Sequence, residues 1–334
     1  MAHKRRLAND RSAFTLVEIL VVIAIIAILA ALTTAGIFQV VGSQRASNTR
    51  ATMSAVMKAL KQHWDFVIAE ARKEPPSPAA RALAGPDPTG ERAKVIWVKL
   101  RLMEAFPMTF AEIANPSVYT PAANPYIPTG MRKYNSTYLK LLQQSKAFPV
   151  VPPQKPSETS ACLILALSIN RGGAAINPDT FGSSVVDTDA DGLREFVDGW
   201  GNPLYFYRFP TPQNWNDLQL TNTAPAGSRE ANFCDPIDPN GTLLDPPPPT
   251  PPTWPAASRA AFEALVHKIS PTGKPPANYV IPVLVSGGPN YVPYDPSLPY
   301  KGFGLDLKDM SIGASPADPN FANDNIYSFQ LKSD

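Results

Sequence analysis

The segment Asp187-Thr188-Asp189-Ala190-Asp191-Gly192-Leu193-Arg194-Glu195-Phe196-Val197-Asp198 holds the densest set of chemistry-bearing side chains in the sequence. Aspartates at positions 1, 3, 5 and 12 with glycine at position 6 match the spacing of a twelve-residue calcium loop. A hard cation selects oxygen ligands, and the glycine permits the sharp turn that brings them together. The candidate carboxylate ligands are Asp187, Asp189, Asp191 and Asp198, and Leu193 would offer its backbone carbonyl. Asp198, standing where such loops usually carry Glu, is one methylene shorter and reaches less far. The competing reading is an Asp- and Gly-rich surface turn, in which the same side chains bond their own backbone and need no ion.

Other chemistry is sparse. The three histidines, His3, His63 and His267, stand in unrelated contexts, and His63 reads as a packing or surface residue of a helix. Cys162 and Cys234 are the only cysteines, too few for a thiolate zinc site; a disulfide between them and two separate buried thiols both remain open. The sequence has no G-x-S-x-G, no H-E-x-x-H and no glycine-rich phosphate loop, so no enzyme is expected. Outside the first thirteen residues, 26 basic residues face 27 acidic ones, which gives no basic surface for nucleic acid.

Such a loop needs elements to hold it, and the most distinctive element lies far upstream. Between residues 14 and 41 the only charged residue is Glu18, and residues 19–32 are an unbroken apolar run. A 28-residue segment of this kind spans a bilayer as a helix. The first thirteen residues carry Lys4, Arg5, Arg6 and Arg11 against Asp10, whereas the ten residues after Val41 carry only Arg45 and Arg50. That bias places the N-terminus inside and everything after Val41 outside the cytoplasmic membrane. A cleaved secretory signal or a plain signal anchor would account for the apolar run but not for Glu18. A carboxylate within a membrane-spanning helix costs about 2.5–3.5 kcal/mol at the bilayer centre, so it calls for a partner.

The stretch Ser12-Ala13-Phe14-Thr15-Leu16-Val17-Glu18 and the apolar run after it resemble the N-terminal signal of type IV pilins and of the major pseudopilin of type II secretion. The resemblance implies that a prepilin peptidase cuts between Ala13 and Phe14 and methylates the new amino group of Phe14. Glu18 would then neutralise the terminal ammonium of a neighbouring subunit inside a filament. The family usually has Gly before the cut, and this sequence has Ala13. Two further stretches are similar to the family's C-terminal sheet: Asp198-Gly199-Trp200-Gly201-Asn202-Pro203 leading into an aromatic strand, and residues 279–290 with 324–329. In the family the last loop also holds calcium; here Asn290 replaces the usual Asp. The partners implied are sibling subunits, the prepilin peptidase and an inner-membrane assembly platform driven by an ATPase.

No proline occurs between Phe14 and Glu74, and Met53, Val56, Met57, Leu60, Trp64, Val67, Ile68 and Ala71 recur at spacings of three and four. These form one stripe on a spine helix ended by Pro75-Pro76, with Gly36 and Gly42 as places to bend. Residues 77–90 read as a loop; 91–106, 136–145, 158–170 and 256–269 read as helices. With 38 prolines, about twice average usage, the rest is short elements and irregular connections. The expected division is 1–13 leader, 14–41 transmembrane helix, 42–74 outer spine, 75–173 helical insertion, and 174–334 β-rich region with a Pro-rich loop at 210–255. The fold class is α+β, a long N-terminal helix packed on an antiparallel sheet. The function implied is a filament subunit anchored in the membrane before assembly. A tethered calcium-binding or adhesion module that never polymerises is the alternative, and an anchored enzyme comes second to that.

Overall fold

The computed structural model describes residues 16–114, 135–150, 157–173, 175–209, 237–238, 240, 242–243, 254–266, 282–290, 325–328 and 331. The chain divides into two compact units, Met1–Arg45 and Ala46–Asp334. The leader residues, most of the Pro-rich loop 210–255, Cys234 and His267 lie outside the described residues.

In the first unit, helix α1, which covers Leu16–Lys73 in all, runs helical through Gly36 and Gly42. Its apolar side chains face outward: Ile23 is 61% exposed, Leu29 57% and Leu32 66%. A helix apolar on every side and covered by nothing of its own molecule is built for a medium other than water.

The second unit begins on the same helix with opposite behaviour. Met53, Val56, Leu60, Trp64, Val67 and Ala71 are buried along one stripe, with Met57 and Ile68 partly buried at its margin. Thr49 and His63 join the buried face. Residues 77–90, expected as a loop, hold helix α2 (Pro78–Ala84), because Ser77 caps it by accepting from Ala80 N at 3.2 Å and proline fills its first turn. Gly85, at φ +63, closes α2 against Pro255, whose ring would lie 2.8 Å from an added Cβ.

Helix α3 (Glu91–Ala105) is buried on every side, so its basic residues needed partners. Arg92 donates to the carbonyls of Ala84 and Thr242 at 3.0 Å each, and Arg101 pairs with Glu74 and Glu104. Asp87 caps the start of α3 by accepting from Gly90 N and Ala93 N. Helices α4 (Phe110–Ala114), α5 (Asn135–Gln143), α6 (Glu158–Ser168) and α7 (Ala256–Val266) complete the helical part. Within the stretch 75–173, α3 and α6 share one hydrophobic core with the sheet.

Among the described residues, two small antiparallel sheets join the helices in a broadly α+β architecture. Strands β1 (Val185–Val186) and β2 (Glu195–Phe196) pair across the Asp-rich loop, with Val185 opposite Phe196. Strands β3 (Tyr205–Tyr207), β4 (Val283–Ser286) and β5 (Ile326–Tyr327) lie in the order β3-β4-β5. All of β3 and β4 is buried, which explains runs of consecutive apolar residues rather than alternation.

Two buried arginines tie helices to this core. Arg208, just past β3, grips Glu112 of α4 with both terminal nitrogens at 2.8 and 3.2 Å. Arg171, after α6, donates to the carbonyls of Ala166 at 2.6 Å and Ala105 at 3.0 Å, contacts the Tyr138 hydroxyl, and meets His63 Nδ1 at 3.3 Å. Burial, then the Arg171 charge, lowers the pKa of His63 to about 4. Neutral His63 thus meets Arg171, which follows α6, from the buried face of the spine.

Candidate functional sites

Two places carry the residues singled out by sequence. At the N-terminal one, Ala13 and Phe14 lie outside the described residues. Glu18 stands in the first turn of α1 and is exposed, where the helix dipole favours a carboxylate. Within Leu16–Thr33, 18 residues of mean hydropathy 3.0, no residue is buried by the molecule itself. Glu18 is the one ionisable group in that stretch.

The Asp-rich loop sits between β1 and β2 and is held from outside as well. Lys146 N, in the turn after α5, donates to the carbonyl of Asp191 at 2.7 Å, and Ser157 Oγ at the head of α6 lies 3.4 Å from Asp189 Oδ2. Inside the loop Asp187 accepts from Asp191 N and Gly192 N, and Asp191 accepts from Leu193 N at 2.7 Å. Ala190 at φ +58 and Gly192 at φ +91 make the turn. The result brings Asp187, Asp189 and Glu195 together, with one ligand oxygen from each within 4.8 Å of the others.

Glu195 is the residue that sequence spacing passed over. It is 1% exposed, and its Oε2 accepts from Thr188 N at 2.7 Å and Thr188 Oγ1 at 2.8 Å. Desolvation is the main cause of a pKa raised to about 8, with the neighbouring charges of Asp189 and Asp191 adding to it and the Thr188 bonds opposing it. A signal for it existed, since Glu195 is position 9 of the twelve-residue spacing, itself a ligand position in such loops.

Asp198, expected as the twelfth-position ligand, lies in a different constellation. In a calcium loop of the helical kind a helix begins near position 9 and brings position 12 back to the ion. Here β2 begins instead, and extended backbone at about 3.3 Å per residue carries position 12 away. Asp198 accepts from Trp200 N and Asn202 N at 2.9 Å each, and from Ser286 Oγ at 2.7 Å. Asn202 Nδ2 donates to Gly288 O, and Gly199 N donates to Thr49 Oγ1 of α1. This carboxylate locks the turn before β3 to the end of β4. Desolvation raises its pKa, against the bonds it accepts. Asp191 and Leu193 are buried, and both shape the loop through the bond between them. Cys162 is buried in α6, where desolvation pushes its thiol well up and leaves it inert; Cys234 lies outside the described residues.

The family described as the prokaryotic N-terminal methylation motif matches residues 8–34. The match spans the Ala13–Phe14 junction, Glu18 and the exposed apolar turns of α1. No curated protein and no solved structure matches the chain. The motif on an apolar N-terminal helix, in a chain that is broadly α+β, supports a type IV pilin-like protein. The motif implies processing by a prepilin peptidase and assembly with other pilins, and the exposed apolar helix fits a membrane-anchored protein. The motif suggests a structural protein.

Proposed function

We propose that this chain is a structural subunit of a type IV pilus-like or type II secretion pseudopilus filament, held in the cytoplasmic membrane before assembly. The observation that carries the reading is the methylation-motif match on the Leu16–Thr33 part of α1, where no residue is buried and the one acid is Glu18. Such a helix is covered first by lipid and then by the same helix of sibling subunits. In that dry environment the Glu18 carboxylate neutralises the methylated ammonium of Phe14 of a neighbour, which sets register. The body is extracytoplasmic and the N-terminus inside. The turn locked by Asp198, with β3, β4 and β5 in antiparallel order, supports the pseudopilin-like member of the class.

Two measurements on the membrane-expressed chain test this. The mature protein is expected to begin at methylated Phe14 by mass spectrometry, and Glu18→Ala is expected to abolish filament incorporation while membrane insertion persists. A mature chain that keeps residues 1–13, or a Glu18→Ala variant that assembles normally, overturns it.

A second reading concerns the Asp-rich loop and rests on the convergence of Asp187, Asp189 and Glu195. The three carboxylates form a hard-oxygen donor set suited to calcium, with water and backbone oxygens filling the remaining positions. Calorimetry is expected to show calcium binding that Glu195→Gln weakens. No heat and no thermal stabilisation would remove the ion from the picture.

A further inference from the structure

The outward side of α1 in the body is basic. At 100° per residue, Arg50, Lys61 and Arg72 recur every eleven positions within about 40° of one another and Lys58 falls beside them, outside the buried stripe of Met53, Val56, Leu60 and Val67. All four cations are exposed. Arg50, Lys58 and Arg72 make no ion pair among the described residues. Lys61 pairs with Asp65 on its own helix at 2.6 Å, with side chains 75% and 58% exposed. The stripe is about 33 Å long. Residues 46–73 carry five basic side chains against two acidic ones.

The opposite sign is gathered in one segment of the same body. Residues 175–198 hold six acidic side chains and one basic one: exposed Asp179 pairs with Arg194 at 2.6 Å, Asp187 and Asp189 are half-buried, and Asp191, Glu195 and Asp198 are buried. Within one copy this segment is fastened to the other side of α1: Thr52 Oγ1 lies 3.1 Å from Ser184 Oγ, and Thr49 Oγ1 accepts from Gly199 N at 2.8 Å. The acidic segment and the basic stripe therefore face away from each other and meet only between copies.

We propose that the basic face of α1, formed by Arg50, Lys58, Lys61 and Arg72, docks the acidic 179–191 segment of a second copy of this chain. The inference rests on the filament reading above. Because the two patches differ, the contact is heterologous and propagates copy after copy instead of closing into a two-fold dimer. Exposed ion pairs add little affinity each, so the pairing sets register and speeds docking, and salt weakens it.

Carbodiimide joins lysine amines to nearby carboxylates, so filaments sheared from cells making the full chain are treated with it. The expected product is a covalent dimer whose peptides link Lys58 or Lys61 to Asp179, Asp187 or Asp189. Combined Lys58→Arg and Lys61→Arg keeps the charge, so filaments persist while that dimer is lost. Combined Arg50→Glu, Lys58→Glu and Lys61→Glu is expected to lower filament yield at least about tenfold with an unchanged unfolding midpoint of the body. Filaments that form equally well from this variant, or wild-type dimers lacking the named peptides, overturn the docking and leave the filament reading standing. A wild-type chain that stays unassembled in the membrane overturns both.

Discussion

Along the single helix α1, Leu29 and Leu60 are the same residue type in the same conformation, yet Leu29 is 57% exposed and Leu60 is fully buried. The first unit leaves its apolar side chains uncovered, while the second buries even Lys99, Arg101 and Arg171 among partners. The body supplies its own solvent. The N-terminal stretch has none from its own molecule, which fits the membrane anchoring proposed above.

The sharpest way to break that comparison is to place the same charge at both leucines. Leu60→Asp buries a carboxylate in the body core and is expected to cost about 4 kcal/mol or more, enough to abolish cooperative unfolding in urea. Leu29→Asp should leave the body's midpoint unchanged and instead reduce the membrane-retained fraction, since the insertion cost is roughly 3 kcal/mol. Equal loss of body stability from both would erase the distinction between the units.

Next in size is Arg171→Ala. It strips the Ala105 and Ala166 carbonyls and the Tyr138 hydroxyl of a buried cationic donor, with an expected loss of about 3 kcal/mol in the urea midpoint.

Glycine substitutions extend the contrast to the backbone. Gly172 has φ +59, and an added Cβ would lie 2.6 Å from the Phe66 ring, so Gly172→Ala should cost about 1–3 kcal/mol. Gly42 meets nothing within 4 Å, so Gly42→Ala should not alter the body's midpoint.

Titrations inside the body extend the contrast to pH. His63, depressed to about 4, contributes stability that is full above 6.5 and lost as pH falls through 4. Glu195, raised to about 8, contributes stability that is full below 4.5 and lost as pH rises through 8. Thermal melts of Glu195→Gln across that window should lack the alkaline loss. Calcium bound at the loop should offset the same loss in the wild-type chain, most strongly near pH 8.

Much of the scaffold was legible because its signals are local. Proline-free periodicity placed the spine helix, and its stripe from Met53 to Ala71 is the buried one. The sequence boundaries of α3, α5 and α6 fell within two residues of the observed ones because helix-stop residues act on their immediate neighbours. The short α2 was missed because a proline-rich stretch reads as loop, although Ser77 and Pro78 together make a good helix start.

What the linear order of residues determined by itself is the N-terminal helix: its length, its uniform apolarity and the single acid at Glu18 follow from composition over one continuous segment. The membership of the acidic cluster was decided only by tertiary structure. Asp198 stands at a ligand spacing, but β2 carries it toward Ser286, and the same β1–β2 pairing turns Glu195 inward beside Asp187 and Asp189. Spacing along the chain tells how far two carboxylates can be apart. Strand pairing with residues far away in sequence decides which of them converge.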